Sequence, residues 1–268
     1  FAALGDLTAS AFAKKGLTGF EKIEFDDTGA NGDTYSLANF GINHLILTAD
    51  DADDNTITGV TSGFTLQTGK AVDDLGGSGS TDDYTITLTD RAGSGDVINF
   101  DIDNTAGTGD FEFKATEVEV VNIDTTGSDK ANAIGLFTAQ LEEIYVSTGT
   151  GDVTIDLSAT GNAATVANLV DATGSVSTGG VVFVADGSNL AGITFKGGSG
   201  GDNFTGGDLS DAFVGGSGDD IADLAAGGAN TADLSNGGDN NIEFNSLAGK
   251  VTITGFTTGD TIDLENDE

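Results

Sequence analysis

Apolar residues recur at every second position in short runs along the chain, and the runs are of two kinds. The first places an acid or amide near its start: Phe20-Glu21-Lys22-Ile23-Glu24-Phe25, Val118-Glu119-Val120-Val121-Asn122-Ile123 and Leu141-Glu142-Glu143-Ile144-Tyr145-Val146. Ile42-Asn43-His44-Leu45-Ile46-Leu47 repeats it with Asn in place of Glu. In the second kind, Gly-Asp runs straight into alternating apolar residues, at Gly32-Asp33, Gly95-Asp96, Gly109-Asp110, Gly151-Asp152 and Gly259-Asp260. A period of two predicts strands with one buried face. Ile42 follows Phe20 by 22 residues and Leu141 follows Val118 by 23, the length of one solenoid coil. The loops are rich in Gly, Asp, Asn and Thr and leave little room for helices. The one helical candidate is Phe1 to Lys15, a cap or linker within residues 1–18.

These patterns predict an all-β fold, a parallel β-solenoid or β-roll. Its coils are irregular over residues 19–190, regular over 191–248, and followed by a closing strand in 249–268. A single coil cannot bury its apolar face, so stability comes from stacked neighbours. The end coils expose unpaired strand edges that need a cap or a partner.

The regular segment reads GGSGGDNFT GGDLSDAFV GGSGDDIAD from Gly197 to Asp223, with Asp202, Asp211 and Asp220 in the sixth place of each unit. Glycine admits tight backbone curls that turn successive carbonyls toward one point. Calcium takes six to eight oxygens, many of them carbonyls, and a carboxylate adds the charge. Each unit then ends in a strand too short to stand alone, with Phe204 or Phe213 pointing into a core. Nine residues form half a coil and alternate loops stack, so Ca2+ is expected between loops, shared by Asp202 and Asp220. Carbonyls of Gly198, Gly200, Gly207, Gly216 and Gly218 are the expected partners, with Asp208 and Asp219 as neighbouring acids. Leu209 replaces the fourth-place glycine of the second unit, and Ala222 fills the apolar slot of the third. GGANTADLS (227–235) and GGDNNIEFN (237–245) keep the double glycine but lose the sixth-place Asp, as degenerate coils would. Upstream, GGSGSTDDYT (76–85) is a near-match with one inserted residue, which makes Asp82 or Asp83 a candidate ligand.

This run resembles the RTX (repeats-in-toxin) family of secreted calcium-binding β-roll proteins. The first unit matches G-G-x-G-x-D-x-U-x at every fixed place, and Lys250 to Leu264 looks like the family's closing strand. The Glu-bearing strands are also similar to segments of RTX-type bacterial surface-layer proteins. The resemblance implies export by a type I route, with an uncleaved C-terminal signal.

Composition narrows the function. Nine basic against 44 acidic residues give a net charge of −35, which repels nucleic acid. Crowded carboxylates destabilise a compact state and divalent cations relieve that, so folding is expected to be coupled to calcium. There is no Cys, hence no disulfide and no thiolate site. No run approaches a membrane span and no signal peptide is visible; the missing Met suggests a processed product or an excised piece.

No catalytic pattern emerges. His44 is the only histidine and sits in an apolar strand; H-E-x-x-H is absent. Adjacent acids such as Asp26-Asp27 and Asp73-Asp74 arise readily among so many carboxylates, so a glycosidase pair is not supported. Residues 50–55 (DDADDN) are a candidate extra calcium loop. The segment 101–112 has EF-hand-like acids but Ala106 at its turn, which excludes an EF-hand while leaving Asp101, Asp103 and Asp110 as candidate ligands. The T-x-T pairs fit ordinary strand faces. The expectation is a non-enzymatic, calcium-dependent structural protein of the bacterial cell exterior, self-assembling into a surface-layer or sheath-like array. Cell-surface polysaccharide is a candidate partner. An RTX adhesin module, or the β-roll end of a secreted hydrolase, is the alternative.

Overall fold

The computed structural model describes residues 21–25, 34–38, 40–50, 55–75, 84–90, 93–137, 140–157, 167–176, 178–185, 191–224, 227–244 and 249–264. The helical candidate Phe1–Lys15 lies outside them. Every strand ladder is parallel, in two sheets of 11 and 12 strands that the chain visits almost in strict alternation. This is the expected β-solenoid. Among the described residues no helix is long and apolar enough to cross a membrane.

The first sheet runs Ile23–Phe25, His44–Leu47, Phe64–Thr68, Val97–Asp101, Val120–Thr125, Glu143–Thr148, Leu169–Gly174, Thr194–Lys196, Ala212–Val214, Ala229–Asp233 and Lys250–Thr254. The second runs Thr34–Ser36, Asn55–Val60, Tyr84–Leu88, Gly109–Thr116, Asn132–Phe137, Val153–Asp156, Val181–Val184, Asn203–Thr205, Ile221–Asp223, Asn241–Phe244 and Thr261–Leu264, with Asp74–Leu75 also paired to Gly109–Thr116. All four strands of the Glu or Asn signature fall in the first sheet, at the spacings read from sequence: Ile23 pairs with Leu45, and Val121 with Ile144. Four of the five Gly-Asp runs enter second-sheet strands; Gly95-Asp96 enters Val97–Asp101 of the first.

Coil length follows turn chemistry. In the nonapeptide run Thr194 pairs with Ala212 and Asn203 with Ile221, so each coil takes 18 residues. Upstream, Phe64 pairs with Ile98, because Asp74–Leu75 and Tyr84–Leu88 are both inserted between them. These two short strands lie end to end along Gly109–Thr116: Leu75 meets Phe111 and Tyr84 meets Phe113. Segment 249–268, expected as one closing strand, holds two. The left-handed Gly255 (φ +73°) and Gly259 (φ +114°) turn the chain between the sheets, so Lys250–Thr254 and Thr261–Leu264 form one more coil.

The core is the space between the sheets, filled by alternate residues of each strand. In the regular coils it is a column of phenylalanines. Phe183 stacks on Phe204 in the second sheet at 6.1 Å, and Phe195 on Phe213 in the first at 5.9 Å. Across the gap, Phe195 and Phe204 approach to 5.3 Å. Each ring is essentially buried, and such pairs add about 0.5–1.5 kcal/mol beyond area burial. Ala222 and Ala232 take the next places, so the column thins before Ile242. In the last coil Phe256, Ile262 and Leu264 are 49, 47 and 59% exposed.

Truncating the centre of this column should be costly. Phe204→Ala is expected to lower stability by roughly 3–5 kcal/mol, read as a shift of the urea midpoint followed by far-UV circular dichroism. A change under about 1 kcal/mol would show that the rings are not the packing centre.

Candidate metal centre

A parallel coil has a structural problem at its corners. There the chain leaves one sheet before joining the other, and its N–H groups lose their strand partners. Buried N–H groups need acceptors. Here the sixth-place carboxylates supply them. Asp202 Oδ1 accepts the N–H of Val181 in the preceding coil at 2.7 Å, and its Oδ2 accepts Gly198 N–H of its own loop at 2.8 Å. Asp220 repeats the arrangement, taking Asp202 N–H at 2.9 Å and Gly216 N–H at 2.8 Å. Asp211 does so on the opposite side of the solenoid, with Ile193 N–H at 2.8 Å and Gly207 N–H at 3.0 Å. All three are almost wholly buried.

The three aspartates therefore belong to two separate columns. Asp202 and Asp220 stack on one side, with Gly198, Gly200, Gly216 and Gly218 in their loops; Asp211 and Gly207 lie on the other. Asp208 and Asp219 are exposed in the same loops, and Asp219 Oδ1 accepts Asp239 N–H at 2.8 Å. Asp82 and Asp83 lie outside the described residues. Of residues 50–55, Asp50 accepts the N–H of Asp73 at 2.8 Å and sits at a corner.

The sequence reading missed that Asn continues both columns. Asn230 Oδ1 accepts Asp211 N–H at 2.8 Å, and Asn240 Oδ1 accepts Asp220 N–H at 3.0 Å. In GGANTADLS and GGDNNIEFN these residues hold the fourth place, so each turn reaches the column two residues sooner. The signal was the Asn just before renewed alternation. Asp260 closes the row, accepting Asn240 N–H at 2.9 Å and Thr257 N–H at 2.6 Å.

The Asn turn is also built differently. Asn240 Nδ2 donates to the Gly237 carbonyl at 3.0 Å, whereas Asp220 draws in the Gly216 N–H. An amide pulls a loop carbonyl inward where a carboxylate pulls an N–H. Gly237 and Gly238 accordingly take φ of +109° and +78°. A carbonyl held by Asn240 is less available to a cation.

The Asp turns suit a hard cation held mostly by carbonyls. A Cβ on Gly216 would strike the Gly198 carbonyl oxygen, and one on Gly218 the Gly200 oxygen. Each loop thus lies directly beneath carbonyls of the loop before it. Gly198 itself lies under the carbonyls of Ala172 and Ser175, 2.6 and 2.7 Å from where its Cβ would be. Ser217 N–H uses one lone pair of the Gly198 oxygen at 2.8 Å, and a carbonyl has two. Among the described residues no three His, Cys, Asp or Glu side chains converge. An ion here would rest on one carboxylate and several carbonyls, a donor set that fits calcium better than a nitrogen- or sulfur-seeking metal.

Electrostatics point the same way. Burial pushes the Asp211 carboxyl up to about 6, against the N–H groups of Ile193 and Gly207 and aided by Asp208. Burial likewise takes Asp220 to about 6, opposed by Asp202 N–H and reinforced by the Asp202 charge. Asp202 is raised mainly by burial. At Asp260 burial is outweighed by the donors on Asn240 and Thr257, and the carboxyl lies below its ordinary value. The interior of the nonapeptide run therefore carries negative charge that its own hydrogen bonds do not fully compensate.

No protein-family model, curated protein or solved structure matches the chain.

Two outcomes are expected of the metal-free protein. A carboxyl with a raised folded-state pKa takes up protons on folding, so its contribution is present below about pH 4 and lost as pH rises through about 6. In EGTA the thermal midpoint should therefore fall between pH 4.5 and 7.5; a rise across this window would contradict the assignment. Separately, Asp220→Ala orphans the buried Asp202 N–H and should cost about 1–3 kcal/mol. Asp220→Asn keeps that acceptor without the charge and should cost less, as urea titration in EGTA would show.

Proposed function

We propose that the chain is a calcium-stabilised β-solenoid of the cell exterior with a structural, non-enzymatic role as a unit of a surface-layer or sheath-like array. The observation that carries this reading is the stack of buried, incompletely compensated carboxylates under carbonyl-rich glycine turns. The GGxGxD run that builds these turns is the one that resembles RTX proteins. Asp202 and Asp220 would hold ions on one side with carbonyls of Gly198, Gly200, Gly216 and Gly218. Asp211, with Gly207, would do so on the other. The ion would neutralise charge that otherwise opposes closure of these coils.

The proposed consequence is a folding switch. Extracellular calcium modules bind at roughly 10⁻⁴–10⁻³ M, so the ion would be scarce inside a cell and sufficient outside. At ten times its dissociation constant each site adds about 1.4 kcal/mol, and stacked sites add together. Assembly is favoured by the last coil. Among the described residues, Lys250–Thr254 and Thr261–Leu264 present unpaired outer edges beside exposed Phe256, Ile262 and Leu264. Such an edge is a template for more strands, from further chain or from another copy.

The test is far-UV circular dichroism with light scattering, in calcium and in EGTA. The expected result is loss of β signal on chelation and growth of large particles on adding calcium. Unchanged β content in EGTA would refute the switch. Calcium-dependent folding into a monodisperse monomer would refute the array alone.

A further inference from the structure

Upstream of the glycine turns, the outer face of the first sheet carries an open groove of about 380 Å³. Four in-register strands build it: Phe64–Thr68, Val97–Asp101, Val120–Thr125 and Glu143–Thr148. One outward row crosses them as Thr65, Asn99, Asn122 and Tyr145, and the next as Gln67, Asp101, Asp124 and Ser147. Planar polar groups thus recur at each strand, about 4.8 Å apart along the solenoid.

The first row is held rigidly. Asn122 Nδ2 donates to Asn99 Oδ1 at 2.8 Å, and Asn99 Nδ2 donates to the carbonyls of Gly63 and Phe64 at 3.2 and 3.3 Å. Tyr145 at its end is 38% exposed, and its hydroxyl donates to Glu143 Oε2 at 2.8 Å, which fixes the ring. In the second row, the half-buried Asp101 stands in register beside Asp124 on the neighbouring strand. A half-buried carboxylate beside another acid gains from hydrogen-bond donors that bring no negative charge.

We propose that this groove binds a neutral polysaccharide, laid along the solenoid axis with its rings stepping from strand to strand. Sugar hydroxyls donate to Asp101, Asp124 and Asn122 Oδ1, and the apolar face of one ring packs on Tyr145. The acidic lining excludes anionic glycans. An extended peptide places same-side residues about 6.6 Å apart, two strand rises of 3.3 Å, and slips out of step with the strands within two repeats. The mixture of amide, hydroxyl and carboxylate groups also suits a ligand that both donates and accepts, whereas an ammonium or guanidinium group only donates. The site is independent of the turns assigned to calcium.

Isothermal titration calorimetry of the whole chain in calcium-containing buffer tests this, so a calcium requirement for folding does not enter. The probes are cellohexaose and chitohexaose as neutral 1→4-linked chains, an acidic hexasaccharide, and hexalysine. A neutral hexasaccharide should bind and the acidic one should not. Tyr145→Ala should weaken binding by about tenfold or more, while Tyr145→Phe, which keeps the ring and loses only its anchor to Glu143, should weaken it less. Asn122→Arg, which fills the groove from the neighbouring strand, should abolish binding while leaving the circular dichroism spectrum unchanged. It serves if Tyr145→Ala fails to fold. The proposal is overturned if neither neutral sugar binds at millimolar concentration, or if binding is indifferent to both positions. Tyr145-dependent binding of hexalysine alone would overturn it in favour of a cationic peptide.

Discussion

The fold depends on how the chain satisfies its backbone where it turns from one sheet to the other. A parallel strand pair keeps its ladder only while both strands run together, and the two corners of each coil break it once each. Side-chain oxygens under the corner N–H groups mend it. On one side they run through Asp202, Asp220, Asn240 and Asp260, each accepting from the coil before. Because these bonds span the same distance as the strand ladders, turn and strand advance together. That common step lets Phe183 and Phe204, or Phe195 and Phe213, meet ring to ring.

The same columns decide where charge can enter the interior. Upstream, the buried corner groups are mostly neutral: Asn104, Ser128, Asn132, Thr148 and Ser175 are buried, and Ser128 donates to the Asn104 carbonyl at 2.6 Å, while Glu119 is a buried carboxylate that accepts Asp96 N–H at 2.8 Å. The neutral corners satisfy their hydrogen bonds without a counter-charge. Across Asp202, Asp211 and Asp220 carboxylates fill three successive corners, and there burial raises their proton affinity. The nonapeptide run thus concentrates buried carboxylates at successive corners, which gives a cation a reason to bind there. A net charge of −35 favours that further.

The two outward faces serve different ends under this reading. The corners would hold ions and the flat face of the first sheet would meet ligand, so neither would interfere with the other. A solenoid suits such a division because each coil contacts only its neighbours. Local changes of turn or face residues then leave the rest of the stack in place.

Much of this was legible in the amino-acid order. Period-two alternation is a direct consequence of strand geometry, so the strands, the coil spacing between Val121 and Ile144, and the 18-residue coil around Phe204 and Phe213 could be read residue by residue. The aspartates at fixed places in glycine turns were equally plain, because only a few residues tolerate such turns. What the order of residues could not supply was which groups face each other across coils. It did not reveal that Asn230 and Asn240 replace aspartate two places early. Nor did it reveal that Asn99, Asn122 and Tyr145 share one row. Those relations join residues about 20 positions apart or more, through differing insertions, as in the 34 residues from Phe64 to Ile98. Alternation is a local property of the chain. Register between coils is settled only when the whole stack packs.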